Sequence, residues 1–124
     1  MKNVLIVDND LGFIFWLGQV LAGANYQPWP ACNVLNATAM VAGRHLARLD
    51  LLILNPFLRG AAQFLSDLRR SQPDLKVLAL GVDSDRLARG VNAWQPRPAV
   101  ADLSAKHTWV LEIERVCGSQ NRAA

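Results

Sequence analysis

The side chains that could ligate a metal or act as nucleophiles are few and scattered. Cys32 and Cys117 lie far apart and match neither the paired spacing of zinc ligands nor a disulfide framework, which predicts two reduced thiols. His45 and His107 are isolated, which favours helix-surface residues over metal ligands or a general base. The motifs G-x-x-x-x-G-K-[ST], G-x-G-x-x-G, G-x-S-x-G and H-E-x-x-H do not occur. These residues therefore predict no enzyme and no metal centre.

Composition and charge limit the class of protein. The 124 residues are 52% hydrophobic, enough to bury one core, and we expect one domain over residues 1–118 with a disordered tail at 119–124. Thirteen basic and ten acidic residues give a net charge of +3, too weak a bias to predict a nucleic-acid partner. The apolar stretch 11–24 contains Gln19 and is too short to span a bilayer. We expect a cytoplasmic protein without a membrane partner.

Apolar runs alternate with segments of helical spacing along the chain. The runs VLIV (4–7), LLIL (51–54) and VLALGV (77–82) are typical of parallel strands that are buried on both faces. Weaker strands are predicted at 29–33 and 93–95, where prolines favour edge positions. Helices are predicted at 11–24, 37–49, 61–70, 84–89 and about 102–116. The alternation indicates an α/β sandwich.

Four segments, in the right order, resemble bacterial response-regulator receiver domains. MKNVLIVDND is similar to their first strand and its acidic end, and Asn25-Tyr26 stands where a Gly-Tyr pair precedes their second strand. DLLILNPFLRG resembles their third strand, and GVNAWQPRP resembles the pattern at the end of their fifth strand. The resemblance implies a three-layer, flavodoxin-like (CheY-like) sandwich with a five-stranded parallel sheet in the order 2-1-3-4-5. It also implies a functional cleft at the carboxyl ends of strands one and three.

The residues of this implied cleft depart from the receiver pattern. Asp8 matches the first acidic position, but Asn9 stands at the second. Asn55 stands at the phosphoacceptor aspartate, Gly81 at the hydroxyl residue and Arg97 at the lysine. Only one of these positions is unchanged, so the resemblance implies a degenerate receiver.

These departures remove the phosphoryl chemistry. An ionised carboxylate attacks phosphorus to form an acyl phosphate, whereas the carboxamide of Asn55 is neutral and weakly nucleophilic. Mg²⁺ is usually held by carboxylates and phosphate oxygens, so we expect weak or absent Mg²⁺ binding and no other cofactor. Instead, Arg97 is predicted to pair with Asp8, with Asp10 nearby.

The resemblance also places Trp94 at the aromatic position that switches between buried and exposed states in signalling receivers. Space filling at the sheet edge is the simpler interpretation of this indole. Sixteen positions separate Gly81 from Arg97, which predicts a shortened fourth helix and a remodelled face beside it.

The first predicted helix is apolar around its whole circumference. Six residues are predicted to pack on the sheet: Phe13, Trp16, Leu17, Val20, Leu21 and Ala24. The opposite face is the candidate interface with a partner or a second copy, and its residues are Leu11, Ile14, Phe15, Gly18 and Ala22. Coverage of this face by the chain's own tail is the alternative.

The sequence therefore predicts an atypical receiver that signals by binding a protein: a kinase, another regulator or its own copy, with a homodimer through the first helix favoured. Two alternatives remain open. The chain is a conventional phosphorelay receiver if Asp8 or Asp10 serves as the acceptor. It is a small-ligand or anion sensor if the rebuilt cleft binds a ligand at Arg97.

Overall fold

A computed structural model describes residues 1–43, 48–82 and 90–118. The elements in chain order are β1 (Lys2–Val7), α1 (Leu11–Gly23), β2 (Tyr26–Ala31), α2 (Val34–Ala42), β3 (Leu51–Leu54), α3 (Ala61–Ser71), β4 (Lys76–Leu80), β5 (Ala93–Gln95) and α4 (Leu103–Gly118). The predicted short helix at 84–89, His45 and the predicted disordered tail at 119–124 lie outside the described residues. No helix in the described part of the chain has both the length and the hydropathy of a membrane span.

All five strands are parallel and form one sheet in the order β2-β1-β3-β4-β5. This order confirms the predicted fold class. Pro28 and Pro30 lie in β2, which is at the edge of the described sheet and pairs with β1. An edge strand tolerates proline because the missing N–H can face away from the neighbouring strand. The short strand β5 forms the other edge, next to Pro96, as the sequence predicted.

Helices cover both faces of the sheet, which explains why β3 and residues 4–7 of β1 are apolar at every position. Along β1, Val4 and Ile6 pack in the core shared with α1 and α4. Leu5 and Val7, which alternate with them, pack in the core shared with α2 and α3. Side chains of a strand point alternately to opposite faces, so a strand between two helical layers needs apolar residues on both.

The bounds of two elements, α2 and β2, differ most from the sequence prediction. Helix α2 begins at Val34, three residues before the predicted start, because Asn33 caps it: the Asn33 side-chain oxygen accepts a hydrogen bond from the Asn36 backbone nitrogen at 2.7 Å. Strand β2 runs over 26–31 and not over 29–33, since residue 33 already belongs to this cap. Helix α2 ends at Ala42, before the predicted end at 49, and residues 44–47 of that segment lie outside the described ranges.

The Arg69 guanidinium ties the end of α3 to the segment that leads into β5. It donates to the backbone carbonyl oxygens of Pro73 at 3.3 Å, of Leu75, and of Gly90 at 2.6 Å, and to the Asn92 side chain at 3.4 Å. Partial burial lowers the pKa of Arg69. All four acceptors are neutral oxygens, so this arginine acts as a hydrogen-bonding clamp.

Replacing Arg69 by lysine is expected to lower the free energy of unfolding by about 1–2 kcal/mol, because one ammonium group cannot reach acceptors that a planar guanidinium spans. Urea denaturation measures this loss. Arg70→Lys is the matched control: Arg70 is the next residue, is largely exposed, and lies 3.9 Å from Asp67. Equal losses in the two variants would contradict the clamp.

Candidate functional site

The Asp8 carboxylate is buried at the carboxyl end of β1. The side chain has no exposed surface, and the Asp8 backbone nitrogen continues the sheet by donating to the Ala31 carbonyl oxygen at 3.1 Å. A buried carboxylate is costly unless it is paired with a cation and hydrogen-bonded. The surroundings of Asp8 must therefore supply both.

Arg97 supplies the compensating charge. Its Nε lies 2.7 Å from Asp8 Oδ2 and its Nη2 lies 2.6 Å from Asp8 Oδ1, which is a bidentate ion pair. The hydrogen bond to Asp8 raises the pKa of Arg97, with attraction to Asp8 and Asp10 adding to the rise and burial opposing it. The Arg97 side chain is 38% exposed, so it closes the cleft from the solvent side. The structure contains the pair that the sequence predicted.

Asn55 completes the cluster. It is 9% exposed, and its Nδ2 donates to Asp8 Oδ1 at 3.0 Å. Its Oδ1 accepts from the Phe57 backbone nitrogen at 2.9 Å, and its own backbone nitrogen donates to the Val7 carbonyl oxygen at 2.9 Å. The side-chain amide therefore uses both of its ends, one as a donor to Asp8 and one as an acceptor for the loop.

The Asp8 carboxylate has little capacity left for a metal ion. Oδ1 accepts from Asn55, from Arg97 and from the Asn9 backbone nitrogen at 2.9 Å, while Oδ2 accepts from Arg97. Four donors match the roughly four lone-pair sites of a carboxylate. Residues 1–43, 48–82 and 90–118 contain no group of three or more His, Cys, Asp or Glu side chains arranged to hold a metal. These residues do not fit the Mg²⁺ site of a receiver.

Asp10 and Asn9 lie outside the buried cluster. Asp10 is exposed and caps α1, because its Oδ1 accepts from the Phe13 backbone nitrogen at 3.1 Å. The direct ion pair of Arg97 is with Asp8, and Asp10 acts on Arg97 only through longer-range attraction. Asn9 is exposed, and its backbone nitrogen donates to Asp8 Oδ1. An aspartate just before an apolar helical segment is a capping signal that could have predicted the position of Asp10.

Gly81 and Trp94 lie at the β4 and β5 side of the cleft. Gly81 has φ of +121° and donates its backbone N–H to the Gln95 carbonyl oxygen at 3.1 Å. A Cβ at this position would meet no atom within 4 Å. Trp94 pairs with Ala79 in the sheet and is half-buried. The backbone at Gly81 therefore has room for a side chain but a conformation that strongly favours glycine.

Restoring a hydroxyl residue by Gly81→Thr is expected to lower the free energy of unfolding by about 1–3 kcal/mol, since a β-branched residue is strained at this φ. Thermal or urea denaturation measures the loss. Gly23→Ala is the matched control, because a Cβ at the end of α1 also meets no atom within 4 Å and the φ there is not positive. A fully stable Gly81→Thr variant would show that the segment can relax to negative φ.

The candidate interface on α1 needs two corrections. Ile14 is 3% exposed and packs in the core, so it cannot belong to an outer face. Gly18 faces the edge strand, where its Cβ position lies 3.9 Å from the Pro28 Cβ. Leu11 and Phe15 are 54% and 63% exposed, and Ala22 is exposed as well. The exposed large apolar side chains of α1 are thus confined to its first half, next to the cleft.

Solved structures share this architecture. The chain is similar over its whole length to a CheY-like receiver domain protein from Methanospirillum hungatei, with a TM-score of 0.80, 18% identity and 99% of that chain covered. TrrA from Thermotoga maritima, solved in complex with Mg²⁺ and BeF, has a TM-score of 0.70 and 19% identity to this chain. The match covers 94% of this chain and 99% of TrrA. NtrX from Brucella abortus has a TM-score of 0.76 and 18% identity over 96% of this chain. The match spans only 28% of NtrX.

The chain has the fold of CheY-like receiver domains. No family model matches it, and no curated protein matches it in sequence. At identities below a fifth, the structural likeness establishes the receiver fold, and the roles of individual residues must be argued from their own contacts.

Proposed function

We propose that this protein is an atypical receiver domain of two-component signal transduction, which acts by binding a protein partner without being phosphorylated. The observation that carries the proposal is the closed Asp8–Arg97–Asn55 cluster. It occupies the position where a receiver with this fold needs an open, negatively charged cleft. Arg97 neutralises the one buried carboxylate, and Asn55 presents an amide where the acceptor carboxylate is required.

The chemistry of Asn55 supports the absence of phosphorylation. A carboxamide nitrogen is a poor nucleophile, and the Asn55 amide is already held between Asp8 and the Phe57 backbone. The following residue is Pro56, which has no backbone N–H. Deamidation usually begins with attack by that backbone nitrogen, so this route to an acceptor aspartate is closed as well.

The two remaining acidic candidates are poor acceptors. Asp8 is fully buried, and its two oxygens accept hydrogen bonds from four donors. The Asp10 side chain is exposed, but it caps α1. With Asp8 in its ion pair, residues 1–43, 48–82 and 90–118 contain no cluster of carboxylates that could recruit a divalent cation. Phosphoryl transfer in such a site would lack charge neutralisation by a metal.

The partner is proposed to be a protein, and a second copy of the chain is favoured over a kinase or another regulator. Helix α1 contains no charged residue, and its first half exposes Leu11 and Phe15. Exposed apolar residues beside a neutralised cleft favour contact with another protein over contact with a hydrated ion.

Incubation with acetyl phosphate and Mg²⁺, followed by intact-mass measurement, tests the proposal. The expected result is an unchanged mass. A phosphate adduct that disappears in Asp8→Asn or Asp10→Asn would overturn the proposal and identify a conventional receiver with another acceptor. A well-characterised receiver with an intact acceptor aspartate, treated in parallel, controls for the reagent.

A further inference from the structure

Exposed apolar side chains are concentrated at one end of the molecule. Within the described ranges, nine large apolar residues are exposed, and six of them follow the carboxyl ends of strands. These six residues, here called the carboxyl-edge patch, are Leu11, Leu35, Phe57, Val82, Val100 and Leu103. They range from 54% to 80% exposed. Each of the five strands is followed by at least one of them, so the patch lies at the same edge of the sheet as the Asp8–Arg97 pair.

The turns at the opposite edge of the sheet have a different character. Where the structure describes them, they present mainly polar residues, such as Asn25 between α1 and β2 and Asp74 between α3 and β4, and Met1 is the large apolar residue exposed among those described. Solvent exposure of loops in general therefore does not account for the patch. Its position coincides with the edge where the receiver fold places its functional cleft.

We propose that the carboxyl-edge patch is the contact surface of a symmetric homodimer, in which two copies cover each other's closed cleft. This inference rests on the proposed function, because it requires a cleft that no longer has to admit a phosphoryl donor. In this dimer the two copies touch across the carboxyl ends of the strands, and not along the whole of α1 as the sequence predicted. Leu11 belongs to the patch, and Phe15 lies one helical turn beyond it.

The area fits a stable dimer. Six side chains of these types and exposures offer roughly 600 Å² of apolar surface, at or above the ~300–600 Å² of the largest patch on a typical monomer. A standard interface buries about 800 Å² on each partner, of which about 60% is apolar. The patch therefore supplies the apolar area that one side of such an interface needs.

The charges around the patch also suit self-association. Asp10 and Asp102 are exposed in the loops after β1 and β5, and Arg59 is exposed in the loop after β3. Both carboxylates cap helices through one oxygen, and both residues are exposed. A surface with both signs of charge can pair with a two-fold copy of itself, whereas a surface of one sign would repel its copy.

Sedimentation velocity over a wide range of protein concentration tests the dimer. The expected result for the unaltered chain is a concentration-dependent dimer. Leu35→Asp and Leu103→Asp are each expected to raise the dissociation constant at least about tenfold, as loss of a central apolar contact does in interfaces. Arg59→Glu is expected to weaken the dimer as well.

Leu111→Asp is the matched control, because Leu111 is 56% exposed on α4 but lies outside the patch. Its dissociation constant should not change. A monomer at all concentrations overturns the dimer. A dimer broken by Phe15→Asp but not by Leu35→Asp or Leu103→Asp overturns the patch and returns the contact to α1. Neither result affects the acetyl phosphate measurement, so failure of this inference is distinguishable from failure of the proposed function.

Discussion

An Arg97→Met variant is expected to lose about 2–4 kcal/mol of unfolding free energy at neutral pH. The substitution keeps the unbranched stem of the side chain but leaves the Asp8 carboxylate, which has no exposed surface, without a cation. Removing one partner of a buried pair usually costs ~3–5 kcal/mol, and the lower range applies here because the 38% exposed guanidinium is already partly screened by water. Urea denaturation measures the loss.

A double-mutant cycle isolates the interaction between the two residues. Asp8→Asn removes the buried charge, so Arg97→Met in that background should cost much less, and the coupling should be about 2 kcal/mol. Coupling near zero would mean that Arg97 stabilises the fold through its packing alone. Both outcomes can be measured at neutral pH, where each variant retains the other contacts of the cleft.

Replacing Asn55 by aspartate is expected to cost about 2 kcal/mol at neutral pH. The Asn55 amide nitrogen, which donates to Asp8 Oδ1 at 3.0 Å, becomes a carboxylate oxygen beside another carboxylate, with Arg97 as their shared cation. The Phe57 backbone N–H keeps its acceptor, so the loop contact survives. Urea denaturation at neutral pH measures the loss.

Asn33→Asp is the matched control for the Asn55 variant. Asn33 is exposed and caps α2, where aspartate is an equally good capping residue and its charge suits the helix dipole. Its stability should change little. The Asn55→Asp variant should also remain unmodified by acetyl phosphate and Mg²⁺, since Arg97 still occupies Asp8. Phosphorylation after this single change would mean that the amide alone blocks an otherwise working cleft.

Much of the fold could be predicted from local sequence. The runs LLIL and VLIV indicate strands buried on both faces, and the prolines at 28 and 30 indicate an edge, because a missing N–H matters only where a neighbour would use it. The two faces of α1 were harder to separate. A helix that is apolar all round carries no polar stripe to orient it, so Ile14 was assigned to the wrong face.

Part of the candidate site could also be predicted from the sequence, and part of it could not. The resemblance to receiver domains implied that Asp8 and Asn55, which each follow an apolar run, share one cleft, and that an amide stands at the acceptor position. Only the tertiary structure decided which groups satisfy that carboxylate. The Arg97–Asp8 contact spans 89 positions and crosses two intervening strands, β3 and β4. The same fold set the positive φ of Gly81. Burial follows from short-range periodicity in the chain, whereas the meeting of polar groups depends on how distant segments are brought together.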